Sequence, residues 1–192
     1  MIRNVCVFCG SSLGSRPEYA AAAESVGRLL ARRNIGLVYG GGNIGIMGVL
    51  ARSAMEEGGR VLGVIPQKLY EAVSHVEITE LVVVKDMHER KARMAAASDA
   101  FIALPGGAGT LEELFEVWAW RHIGYHAKPV GLLDVAGFYA PLLDFLARTV
   151  AEDFLKEAHY ADLIVDEDPG RLLSRLEASG PPSEVKTAEF RA

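Results

Sequence analysis

The chain predicts an α/β fold, a three-layer Rossmann-like sandwich around a mostly parallel sheet of about seven strands. Three observations carry that expectation. Short apolar runs alternate regularly with stretches of helical period, the pattern of β-α-β units. The runs are apolar throughout instead of alternating with polar residues, so the strands are covered on both faces. Turns rich in Gly, Ser and Pro separate the elements. With 192 residues, half of them hydrophobic, the chain suffices for one sizeable core and shows no second one.

The first strand is read over 5–9, where Val5-Cys6-Val7-Phe8-Cys9 is apolar without a break. A helix over 17–33 follows, opened by Pro17, whose missing N–H is not needed in a first turn. Strand 36–39 leads through a glycine loop into helix 46–57, and strand 60–65 ends at Pro66. Strand 81–84 feeds helix 87–98, with Asp86 and Glu89 spaced as a capping box; strand 100–104 feeds helix 110–123, with Thr110 and Glu113 at the same spacing. Strand 130–133, helix 138–152, strand 163–165 and helix 169–178 complete the series. Residues 1–179 read as a single Rossmann-like domain, and 180–192, opening with Gly180-Pro181-Pro182-Ser183, as a flexible tail.

Twenty Lys and Arg against 25 Asp and Glu give a net charge of −5, which provides no general positive field for nucleic acid. No apolar run reaches the roughly 18 residues of a membrane span. Met1-Ile2-Arg3-Asn4 runs straight into a strand without the apolar block of a signal peptide, so a cytoplasmic protein is expected. Cys6 and Cys9 have C-x-x-C spacing, but on a strand they point to opposite faces and read as two reduced thiols.

In a parallel sheet, ligands bind outside the carboxyl ends of the strands, so the loops there are the place to look for function. Gly10-Ser11-Ser12-Leu13-Gly14 matches the G-x-S-x-G of hydrolases, but the helix begins only at Pro17 and no His and acid stand out as partners. The Ser11 hydroxyl and neighbouring backbone N–H groups suit an anion, with a simple turn as the plain alternative. The loop from Gly40 to Gly48 satisfies G-x-G-x-x-G literally. It follows the second strand, though, and the next strand ends at Ile65-Pro66 with no acid for a ribose, so NAD is disfavoured. Gly42 and Asn43 then read as backbone approaching a phosphate or sugar, against tight packing by small residues.

The third loop, Pro105-Gly106-Gly107-Ala108-Gly109-Thr110, combines three glycines with a helix N-terminus, a strong phosphate cradle without the lysine of a Walker loop. Glu113 reads either as the capping partner of Thr110 or as an anion facing a cationic centre, such as a ribosyl oxocarbenium ion. Arg90 and Lys91 fall in a first helical turn on the same rim, while Arg93 reads as part of a solvated face. His122 and His126 have H-x-x-x-H spacing, but Gly124 interrupts the helix and no acid completes a zinc pattern; no lysine has a Schiff-base context.

Taken together, the loop from Gly40 to Gly48, the run Asp86-Met87-His88-Glu89-Arg90-Lys91 and the loop from Pro105 to Glu113 resemble the LOG family. These are the cytokinin riboside 5′-monophosphate phosphoribohydrolases, often mislabelled as lysine decarboxylases, and the likeness spans about Val5 to Val165. The resemblance implies a homodimer that hydrolyses the N-glycosidic bond of AMP-like purine nucleoside 5′-monophosphates to free base and ribose 5-phosphate. Such a hydrolysis requires no metal or organic cofactor. It further implies Arg90 and Glu113 as the catalytic pair, with Lys91, Gly107, Ala108, Gly109, Thr110, Leu111 and Glu112 around the nucleotide and Glu77 as a substrate contact. Ala119 stands where plant members tend to carry Thr, a departure that bears on base preference. Trp118 and Trp120 could serve a dimer interface or the core. The alternative is a non-catalytic nucleotide or molybdenum-cofactor carrier, similar in fold and glycine loops but with no use for Glu113 beside Arg90.

Overall fold

The computed structural model describes residues 1–72 and 77–185. Seven strands form one sheet: β1 (Asn4–Phe8), β2 (Gly36–Tyr39), β3 (Val61–Pro66), β4 (Glu80–Val84), β5 (Ala100–Ala103), β6 (Val130–Leu133) and β7 (Leu163–Asp166). Their order is β4-β3-β2-β1-β5-β6-β7, and every pairing is parallel. The β1–β5 register sets Val5 against Ala100 and Phe8 against Ala103, so the two central strands end level.

Among the described residues, eight α-helices flank the sheet: α1 (Pro17–Arg32), α2 (Gly45–Glu56), α3 (Gln67–Tyr70), α4 (Met87–Ala96), α5 (Ala108–His122), α6 (Ala140–Ala151), α7 (Glu157–Ala161) and α8 (Pro169–Ala178). The alternation of side chains along each strand divides the core in two. Val5 and Val7 of β1 pack with Val26, Leu30, Leu50 and Leu172 of α1, α2 and α8. Cys6 and Phe8 face the other way, to Met94, Leu114, Trp118 and Leu146 of α4, α5 and α6. Cys9 lies with the first set, so the two cysteines are buried on opposite faces as free thiols.

The short helices α3 and α7 were not expected, because four or five residues give no readable period. Helix α5 begins at Ala108, two residues ahead of the expected Thr110. The segment read as a loose tail makes contacts at its start: Arg121 donates to Gly180 O at 3.1 Å, and Ser183 Oγ donates to Ala158 O at 3.3 Å. Its end, residues 186–192, lies outside the described residues. Among the described residues, no helix is long and apolar enough to cross a membrane.

Candidate active site

The strand order reverses between β1 and β5, so the loops leaving these two strands part to opposite sides and open a crevice at the carboxyl edge. The loops touch at their base, where Gly10 N donates to Pro105 O at 3.1 Å. On the α1/α2 side of this contact lies a cleft of about 260 Å³ lined by Ser11, Ser12, Tyr19, Gly107 and Phe138 among others. The Tyr19 and Phe138 rings meet edge to face, 5.5 Å apart, at its wall. With β1 ending at Phe8 and α1 starting at Pro17, there is no strand-to-helix elbow to present a serine nucleophile.

At the other loop, Gly107 is the N-cap of α5 and no side chain caps the helix. The first backbone bond into the helix runs from Leu111 N to Gly107 O at 3.1 Å, which leaves the N–H groups of Ala108, Gly109 and Thr110 without an acceptor from the helix itself. Gly107, Ala108 and Gly109 are exposed, and a Cβ built on Gly107 or Gly109 meets no atom within 4 Å. Unpaired donors, a positive helix end and open space together make a seat for an anion. Thr110 is buried beneath the loop against Gly106, so it caps nothing, and the capping box expected with Glu113 does not form. Leu111 is half-buried and packs against the core on the α4/α5 side.

Glu113 turns inward from α5 instead. Its Oε1 lies 3.0 Å from Arg90 Nη1, and the two side chains are only 9% and 10% exposed. Burial raises the Glu113 carboxyl above its ordinary pKa, while the Arg90 charge works against that rise. Arg90 is held from two further sides: its Nε donates to Val64 O of β3 at 3.2 Å, and the guanidinium rests on Gly40 at the end of β2. Its helix is fixed by Asp86, whose Oδ1 accepts from His88 N and Glu89 N at 3.0 and 2.9 Å. Glu89 reaches back to Lys85 N at 2.8 Å, one residue beyond the position a standard capping box uses.

Lys91 is drawn to the exposed side of α5. Its Nζ is bonded to Glu112 and lies 3.0 Å from Glu116, leaving the amine between two carboxylates at the rim. Arg93 is exposed.

The loop after β2 is chiefly a packing device. Gly45, at φ +60°, brings the start of α2 onto the backbone of Ser11 and Ser12, where any Cβ would collide; Gly48 stands equally close to Asn43 O. Gly42 is buried beneath the Met47 side chain, and Asn43 Oδ1 accepts from Arg52 Nη1 at 2.8 Å. Within the chain this loop is tightly packed, and it supplies the floor beneath Arg90.

Glu77 is not gathered with the others. It is exposed ahead of β4, near Thr79, whose Oγ1 accepts from Val61 N at the amino end of β3, the edge of the sheet opposite the crevice. Ala119 is exposed on α5; Trp118 is 4% exposed in the core and Trp120 packs partly against it. His122 stacks on His159 at 4.2 Å, whereas His126 Nδ1 accepts from Lys128 N, so the H-x-x-x-H pair divides between separate neighbours.

Sequence reasoning missed the supports of the pair, Gly40 and Val64, the aromatic wall of Tyr19 and Phe138, and Glu116 on Lys91. Only Glu116 had a readable signal, since it stands one turn beyond Glu112 on the same helix face. The assembled arrangement is a buried carboxylate whose orientation is fixed by a guanidinium, one helical turn from an anion seat. It can hold a phosphate and, close by, stabilise positive charge developing on an attached sugar.

A family model described as "possible lysine decarboxylase" matches residues 47–176. A probable cytokinin riboside 5′-monophosphate phosphoribohydrolase of Oryza sativa subsp. japonica is 49% identical over 98% of this chain and 78% of its own length. A cytokinin riboside 5′-monophosphate phosphoribohydrolase of Arabidopsis thaliana is 46% identical over 98% of this chain and 83% of its own. Among solved structures, the molybdenum cofactor binding protein from Rippkaea orientalis superposes with a TM-score of 0.70 at 21% identity, covering 93% of this chain and 97% of that one. The Moco carrier protein from Chlamydomonas reinhardtii gives 0.69 at 22% identity, covering 93% and 99%. At such identities the likeness concerns the fold alone.

Proposed function

The chain belongs to the LOG-type phosphoribohydrolase family, and from that premise we propose that it hydrolyses the N-glycosidic bond of AMP-like and cytokinin riboside 5′-monophosphates, releasing the purine base and ribose 5-phosphate. The observation that carries this reading is the buried Arg90–Glu113 pair one turn inside the uncapped N-terminus of α5. A helix N-terminus alone would serve any phosphate. A carboxylate beside it is a poor neighbour for an anion unless a cation forms there too, and a ribosyl oxocarbenium ion is such a cation.

The 5′-phosphate takes the N–H groups of Ala108, Gly109 and Thr110, with Gly107 leaving room. As the bond from ribose C1′ to the base nitrogen lengthens, positive charge grows on the sugar and negative charge on the base. The water oxygen bonds to C1′ as the C1′–N bond breaks; Glu113 stabilises the cationic sugar and accepts the water's proton. The base leaves with the electron pair of that bond and takes up a proton from solvent, to which Glu113 returns its own. Arg90 holds Glu113 in place through Nη1. Its Nη2 makes no hydrogen bond among the described residues and offers its donors to the substrate. Lys91, Glu112 and Leu111 form the rim. The metal-free hydrolysis expected from the sequence needs nothing beyond these groups and water. Two copies of the chain acting in the cytoplasm complete the proposal, with the exposed face of α5 bearing Ala119 and Trp120 as the place to seek the contact. A cofactor carrier would have no use for a carboxylate buried against Arg90.

Chromatography of the products formed from a panel of purine nucleoside monophosphates, plain and isoprenylated, tests the reading. Free base and ribose 5-phosphate are expected, and intact substrates throughout would refute it.

A further inference from the structure

We propose that Gly40 is a positioning residue for the reaction, its missing side chain being the seat that holds the Arg90 guanidinium against Glu113. The inference rests on the role proposed above for Arg90, and it concerns a residue of the second glycine loop that the packing of that loop leaves unexplained. Gly45 needs its positive φ, and Gly48 has backbone pressed against it. Gly40 is not among the positive-φ glycines, so its backbone conformation does not call for glycine. What stands where its Cβ would be is Arg90: Nη2 well inside contact distance, Cζ at 3.1 Å and, from the other side, Met47 Sδ at 3.4 Å.

The guanidinium has little freedom to yield. Nε donates to Val64 O at 3.2 Å and Nη1 is ion-paired with Glu113 at 3.0 Å, so the planar group can retreat from Gly40 only by lengthening at least one of these contacts. With Nε kept on Val64 O, a strand carbonyl, the displacement falls on the ion pair with Glu113. A methyl group on residue 40 therefore turns Arg90 away from the carboxylate and swings Nη2 out of its aim, without touching α5 or its anion seat. Part of this loop's glycine pattern thus serves arginine placement, where its spacing alone had pointed to a nucleotide.

A double-mutant cycle in the full chain tests this. Gly40→Ala, Arg90→Ala and the double variant are compared with wild type for turnover of isoprenylated AMP and for thermal unfolding. Gly40→Ala is expected to lower kcat about tenfold or more, as a misplaced electrostatic group does, with a smaller change in KM because the phosphate seat is intact. In the Arg90→Ala background the same substitution is expected to cost less than about twofold, since no guanidinium remains to displace. The unfolding midpoint is expected to drop by a few degrees in the Arg90 background and not in the Arg90→Ala background, where the vacated space admits the methyl. Equal losses in both backgrounds, in kcat or in midpoint, would overturn the seat. Should Gly40→Ala alone fail to fold, recovery of folding in the double variant supports the proposal and continued failure refutes it. If wild type releases no base at all, the function falls, while the midpoint cycle still decides the seat.

Discussion

Arg90 and Glu113 meet at 3.0 Å from two different helices, each with about nine-tenths of its side chain removed from solvent. Neither helix could deliver this alone. Asp86 sets the start of α4, the register of α5 from Gly107 turns Glu113 inward, and β3 supplies the carbonyl that takes Nε. A buried ion pair adds little net stability, because desolving the two charges offsets their attraction. Its position beside an anion seat is better explained by chemistry than by folding.

Replacing Glu113 by Gln keeps an oxygen that can accept from Arg90 and removes the negative charge. Turnover is expected to fall by about 10²-fold or more, with the unfolding midpoint nearly unchanged. Glu113→Ala should lose both, since it leaves a buried guanidinium without its partner. Product chromatography and a thermal melt on the two variants check this, and a Gln variant as active as wild type would exclude a charged role for Glu113.

Arg90→Lys preserves the charge but not the planar fork that reaches Val64 O and Glu113 together. A drop in kcat of at least about tenfold is expected, close to that of Arg90→Ala. Steady-state kinetics decide; a lysine variant near wild-type rate would mean that charge alone suffices.

Burial holds the Glu113 pKa above its ordinary value. The proposed reaction uses the ionised carboxylate, so activity is expected above the raised pKa and is lost as pH falls through it. The acid limb of kcat/KM is therefore expected above the ordinary glutamate value of about 4.3. A profile that stays flat down to that pH would be inconsistent with Glu113 as the ionising group.

Gly107 and Gly109 have open space where a Cβ would stand. Alanine at either position is expected to leave the unfolding midpoint unchanged or slightly raised at Gly109, inside the first helical turn, while raising KM as the methyl enters the phosphate seat. An unchanged KM in both variants would move the phosphate elsewhere.

The layered fold was legible because every strand is a short apolar run bounded by turn residues, as in Ala100–Ala103 ahead of the Pro105 turn. The short α3 and α7 were not, for want of a full period. The start of α5 was misplaced because Thr110 and Glu113 mimic a capping box, whereas Gly107, with extended backbone, begins the helix and Thr110 is buried beneath Gly106. Spacing set Arg90 and Lys91 near the start of α4, after the carboxyl end of β4. It could not show that Glu112 and Glu116 close on Lys91, nor that Glu77 lies toward the other edge of the sheet, because both depend on how separate elements pack. The Gly40 loop was the hardest to read, since glycines that admit a ligand and glycines that admit a neighbouring side chain look alike in one dimension.

A crystal structure of the Glu113→Gln variant with AMP tests the central claim most directly. The expected result has the phosphate on the N–H groups of Ala108, Gly109 and Thr110, with the residue 113 amide about 3–3.5 Å from ribose C1′, the reach of a group poised to act on that carbon. A ribose bound away from residue 113, with its amide still turned wholly to Arg90, would contradict the account.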